Sequence, residues 1–121
     1  MNLARRFGIA AFAAAAAFAS FSASAHAVLV DSTPKLGGTL PAGHAALALK
    51  YNSKIDQARS RLVLVKPDRS ESVLAIAADP AKPNELDASA ELTPGNYVIH
   101  WQALALDGHI TRGDLNFTVK P

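Results

Sequence analysis

From residue 27 onward, apolar and polar side chains follow one another with a period of two. Tyr97, Ile99 and Trp101 alternate with Val98, His100 and Gln102, and Leu115, Phe117 and Val119 alternate with Asn116, Thr118 and Lys120. Successive side chains of an extended strand point to opposite faces, so this rhythm predicts half-buried strands and not amphipathic helices. Seven short β segments follow from it: Ala27–Asp31, Ala45–Tyr51, Arg61–Lys66, Ser72–Ala77, Leu86–Leu92, Gly95–Leu106 and Asp114–Lys120. Turn signals separate them at Thr33-Pro34, Gly37-Gly38, Pro41-Ala42-Gly43, Lys66-Pro67-Asp68, Asp79-Pro80 through Lys82-Pro83-Asn84, and Thr93-Pro94-Gly95-Asn96. A turn signal roughly every 8–12 residues is the spacing of an all-β sandwich. Gln57–Ser60 and Ala75–Ala81 have room for a helical turn each, which leaves the fold class unchanged.

The first 25 residues break this pattern. A short positive region, Met1–Arg6, precedes an apolar run from Phe7 to Phe18, and Ala23 and Ala25 occupy the −3 and −1 places of an A-x-A cleavage site. This is the three-part layout of a secretory signal peptide, 1–25, ahead of a single domain, 26–121. The apolar run is shorter than the roughly 20 residues of a membrane span, and no charged stop follows it. Cleavage after Ala25 makes His26 the first residue of the mature chain. A second frame, Ala25-His26-Ala27, would start it at Val28, but it lies farther from the apolar run. Arg5-Arg6 is a weak hint of twin-arginine export. No other segment is apolar and long enough to span a membrane, so the product is expected to be soluble outside the cytoplasm.

Charge looks different once the leader is set aside. The chain of 121 residues carries 12 Lys and Arg against 10 Asp and Glu, and two of those cations are Arg5 and Arg6. The remainder is balanced, which argues against a nucleic-acid partner, whose binding needs a basic face. There is no Cys, so an exported domain of this size must hold together by packing alone. Nor are there hydrolase signatures: no G-x-S-x-G, no Cys nucleophile, no H-E-x-x-H.

Four histidines remain: His26, His44, His100 and His109. With no Cys, and Met1 in the leader as the only Met, a metal site in the mature chain must use imidazole, carboxylate and amine. That donor set suits copper(II), nickel or zinc and offers soft copper(I) little. As an N-terminus, His26 would present its α-amine and Nδ1 together, closing a six-membered chelate ring. The same residue also reads simply as what cleavage leaves at a frayed end. Asp107-Gly108-His109 places a carboxylate and an imidazole two residues apart, with Gly108 free to bend the backbone. Taken alone it reads as an ordinary Asp-Gly turn. Taken together, the two elements make three nitrogens and one oxygen, a tetragonal set for copper(II). His100, opposite Trp101 on its strand, reads as exposed. His44 follows Pro41-Ala42-Gly43 as a surface residue with a small claim to approach the metal. Tyr97, just after Pro94-Gly95, resembles a tyrosine corner. Arg112 and Asp114 read as solvated surface near the D-G-H turn.

The residues Leu92-Thr93-Pro94-Gly95-Asn96-Tyr97-Val98-Ile99-His100-Trp101, then Asp107-Gly108-His109, Gly113 and Phe117-Thr118-Val119, resemble the C-terminal half of the CopC family of periplasmic copper-binding proteins. The opening His26-Ala27-Val28-Leu29, with Ser32-Thr33-Pro34 and Gly37, resembles the family's mature N-terminus. The resemblance is looser from Asn52 to Ala90. It implies a cupredoxin-like or immunoglobulin-like Greek-key β-sandwich of about seven strands. It also implies one copper(II) per chain, held by the amine and imidazole of His26 with Asp107 and His109. The absence of Met from 26–121 departs from members with a methionine-rich copper(I) site, and Leu104-Ala105-Leu106 stands where a serine is common.

The reading is therefore a copper tolerance or homeostasis protein, not an enzyme, that buffers or delivers copper(II) as a monomer. Its partner by resemblance is an inner-membrane copper transporter of the CopD type. Two alternatives are a histidine-brace copper oxidase acting on polysaccharide and an exported β-sandwich interaction module without metal.

Overall fold

The computed structural model describes residues 26–121. The proposed leader and the residues on the leader side of the cut lie outside the described residues. Eight strands make two sheets: β1 (Leu29–Thr33), β2 (Thr39–Pro41), β3 (Gly43–Tyr51), β4 (Arg61–Val65), β5 (Glu71–Leu74), β6 (Glu85–Leu92), β7 (Gly95–Leu104) and β8 (Ile110–Lys120). The first sheet has the order β1-β3-β6 and the second β2-β8-β7-β4-β5, so the chain changes sheet after β1, β2, β3, β5 and β6. All pairings are antiparallel except β2 with β8, which is parallel.

The alternation in the sequence is the reason for the two layers. Leu47, Leu49 and Tyr51 on β3 and Leu86, Ala88 and Leu92 on β6 face inward from one sheet. Leu62 and Leu64, Tyr97, Ile99, Trp101 and Ala103, and Leu115, Phe117 and Val119 face them from the other. Two aromatic pairs fill this interior. Tyr97 stacks on Phe117 with ring centres 5.4 Å apart, and Tyr51 meets Trp101 edge-on at 5.3 Å. Trp101 fits because its partner across the ladder is Gly113: a Cβ there would lie 2.4 Å from the indole Cζ2.

Tyr97 is a tyrosine corner. Its hydroxyl donates to the Thr93 carbonyl at 2.9 Å and accepts from the Thr93 amide at 3.0 Å, pinning the entry to β7.

Two departures from the sequence reading have physical causes. β2 has no counterpart among the seven predicted segments, because Thr39-Leu40 lies between the turn signals Gly37-Gly38 and Pro41-Ala42-Gly43. It pairs with β8 at the sheet edge, where a proline without an N–H does no harm. β8 begins at Ile110 and not at Asp114, because Thr111, Arg112 and Gly113 interrupt the apolar rhythm while their backbones continue the ladder with β7. Of the two candidate helical turns, 57–60 closes one turn onto the Asp56 carbonyl through Ser60 N–H at 3.0 Å. In 75–81 the chain turns only at its end, where Lys82 N–H reaches the Asp79 carbonyl.

Candidate metal centre

The D-G-H motif is the tip of the β7–β8 hairpin. Two backbone bonds close it: Ala105 N–H to the His109 carbonyl at 2.9 Å, and Gly108 N–H to the Ala105 carbonyl at 3.0 Å. Gly108 has φ +92°, a left-handed conformation that a side chain would strain. Asp107 folds back on the turn. One carboxylate oxygen accepts the His109 amide at 3.0 Å, and the other lies 3.1 Å from His109 Nδ1. The His109 backbone N–H, then its imidazole, and more weakly the charge of His26, hold the Asp107 carboxyl below the usual carboxylate range.

The tip has a firm base. The segment after β3 crosses under it, with Ile55 bridging Ala105 and Asp56 N–H bonding the Leu104 carbonyl at 2.8 Å. Buried Ser60 adds a hydroxyl that accepts the Leu104 amide at 3.0 Å.

His26 reaches this tip from the opposite end of the chain. Its ring meets that of His109 edge-on, with centres 5.0 Å apart. Two imidazoles bound to one ion at about 2.0 Å per bond have ring centres roughly 4.5–6 Å apart, so the pair is already at a separation that a shared ion requires. An open cleft of about 420 Å³ lies here, lined by His26, Asp107, Asn52, Ser53, Lys54 and Ala105. Among the described residues, no three His, Asp or Glu side chains already surround a common point at metal-binding distance. Asp107 is bonded to His109 instead. With Nδ1 of His109 beside a carboxylate, Nε2 is the nitrogen left to face a ligand.

The other histidines lie elsewhere. His44 is the second residue of β3, at the end remote from Tyr51 and Asn52, and pairs across the sheet with Glu91 at 2.8 Å. It does not approach the tip. His100 is exposed on the outer face of the five-stranded sheet, 2.5 Å from Asp114. Arg112 Nε donates to Gln102 at 2.9 Å on that same face. Arg112 and Asp114 therefore belong to a separate surface groove of about 580 Å³ and not to the D-G-H turn.

Two residues at the site had no signal in the sequence. Thr111 donates its hydroxyl to the Ala27 carbonyl at 2.9 Å, and Asn52 Oδ1 accepts the Val28 amide at 2.8 Å. Both bonds join distant segments, and nothing local in Tyr51-Asn52-Ser53 or Ile110-Thr111-Arg112 announces them.

Comparison with known proteins bears on the family and the fold. A family model described as CopC domain matches residues 29–120. The copper resistance protein C of Xanthomonas campestris pv. juglandis is 32% identical over 114 residues, covering 88% of this chain and 89% of that protein. Among solved structures, CopC from Methylosinus trichosporium OB3b superposes with a TM-score of 0.71 at 28% identity, covering 79% of this chain and 95% of its own. PcoC from Escherichia coli, described as a methionine-rich copper resistance protein, superposes with a TM-score of 0.63 at 25% identity, covering 79% of this chain and 100% of its own. The present chain has a single Met, at position 1.

Proposed function

Because this chain belongs to the CopC family, we propose that it is a periplasmic copper(II)-binding protein that buffers or delivers one ion per chain for copper tolerance. The ligands are the α-amine and imidazole of His26, exposed by removal of residues 1–25, with Asp107 and His109. The observation that supports this is the 5.0 Å contact between the His26 and His109 rings, made by residues from opposite ends of the chain. Mixed nitrogen and oxygen donors without thiol or thioether favour copper(II) over copper(I). Direct binding by Asp107 requires its 3.1 Å contact with His109 Nδ1 to open, an exchange of one charge-assisted bond for a coordinate bond.

The mechanism is equilibrium chelation without turnover. An unperturbed α-amine titrates at about 7.7–8.0 and binds metal only without its extra proton, so affinity falls as pH falls. The site sits at an exposed hairpin tip, which suits handover to a membrane transporter of the CopD type by a monomer. A polysaccharide-oxidising reading finds no support in the surface: Tyr51, Tyr97, Trp101 and Phe117 are all buried, so none offers a face to a sugar chain.

Native mass spectrometry of the protein recovered from the periplasm, with limiting copper(II) and a competing chelator, tests this reading. A species beginning at His26 that keeps one copper, and a His26→Ala variant that surrenders it, are the expected results. A species beginning at Val28, or equal retention by His26→Ala, refutes the assignment.

A further inference from the structure

The two residues that follow His26 lie ahead of the first ladder pair, Leu29 with Tyr51, yet they are fastened to both sheets. Thr111, on β8 of the five-stranded sheet, donates its hydroxyl to the Ala27 carbonyl at 2.9 Å. Asn52 follows β3 of the three-stranded sheet and grips Val28 twice. Its Oδ1 accepts the Val28 amide at 2.8 Å, and its own amide donates to the Val28 carbonyl at 3.0 Å. The Ala27 side chain is 2% exposed and belongs to the core, so the segment is anchored by packing as well. Terminal residues of a domain are ordinarily loose unless tied down in this way.

We infer that Asn52 and Thr111 are positioning residues for metal uptake: they clamp Ala27–Val28 so that His26 stands beside the D-G-H tip before the ion arrives. A loose N-terminus would have to be ordered at the moment of binding, and that entropic loss would be subtracted from affinity; a clamped one has already been ordered by folding. The placement of the two residues fits this role. Thr111 lies two positions beyond His109, on the strand that leaves the tip, and Asn52 lines the same cleft as His26 and Asp107. The inference rests on the preceding reading that His26 is a ligand.

The test compares the mature chain with Thr111→Val, Asn52→Ala and Thr111→Ser, measuring copper(II) affinity by chelator competition and Val28 amide exchange by NMR without metal. Each lost hydrogen bond should weaken copper binding roughly three- to tenfold, with Thr111→Ser restoring it to within about threefold. By calorimetry the affinity lost in Asn52→Ala should lie in the binding entropy, with a copper(II) EPR spectrum like the parent's, a pairing that the loss of a ligand does not produce. Asn52 is exposed, so its truncation spares the core and keeps the test informative if Thr111→Val folds poorly. Faster Val28 exchange in Asn52→Ala together with parental copper affinity overturns the clamp while leaving the copper site standing. Parental affinity in His26→Ala removes the site itself.

Discussion

Gly113→Ala tests the packing under the site by the sign of its effect. Gly113 has an ordinary strand conformation, so alanine meets no backbone strain there, and by propensity alone it should stabilise the strand by about 0.5–1 kcal/mol. Sterically the opposite holds. The new methyl would sit 2.4, 2.7 and 2.9 Å from Cζ2, Cε2 and Nε1 of Trp101. The indole cannot step aside, because it is 9% exposed and held edge-on by Tyr51 at 5.3 Å. Overpacking a filled core costs about 1–3 kcal/mol, so the net effect should be a destabilisation of about 1–2 kcal/mol. Urea unfolding followed by the fluorescence of Trp101, the only tryptophan, reads this directly. A shift in midpoint at constant slope is expected. A Gly113→Ala protein more stable than its parent would refute the placement of Trp101 across β8.

Two further outcomes follow from the site and its supports. Tyr97→Phe removes the hydroxyl that both donates to and accepts from Thr93, and should lower stability by about 1–2 kcal/mol in the same urea assay; an unchanged midpoint would deny the corner any role. The Asp107 carboxyl is depressed by the His109 amide and imidazole, so its contribution is complete above the ordinary aspartate value of about 3.9 and is lost as pH falls through the lower folded value. Asp107→Asn should therefore be less stable than the parent at pH 7, with the difference closing in acid. A pH-independent difference in metal-free urea titrations would refute that assignment.

Legibility in the sequence followed how local each feature is. β7 could be read residue by residue, because Tyr97, Ile99 and Trp101 are inward and Val98, His100 and Gln102 are not. The tyrosine corner was legible for the same reason: its hydrogen bonds span four residues. β2 was not, since three residues paired in parallel at an edge leave no periodic trace. The first half of β8 was hidden by Gly113, whose missing side chain answers a tryptophan on another strand. At the site, His26, Asp107 and His109 stood out through motif and resemblance, and the folded chain puts them side by side. The clamp was invisible, because Thr111 and Ala27 lie 84 positions apart and only the sandwich makes them neighbours.

The meeting of the two ends of this domain has a mechanical meaning. A chain without cysteine has no covalent brace. An ion held by His26 on one side and by Asp107 and His109 on the other would close a loop of about 80 residues. An ion that binds the folded chain and not the unfolded one stabilises it by mass action, by about 4 kcal/mol at a free copper level a thousand times Kd. Copper would then be freight and rivet at once. With the ion in place the domain would open less often than without it, and limited proteolysis with and without copper would read the difference.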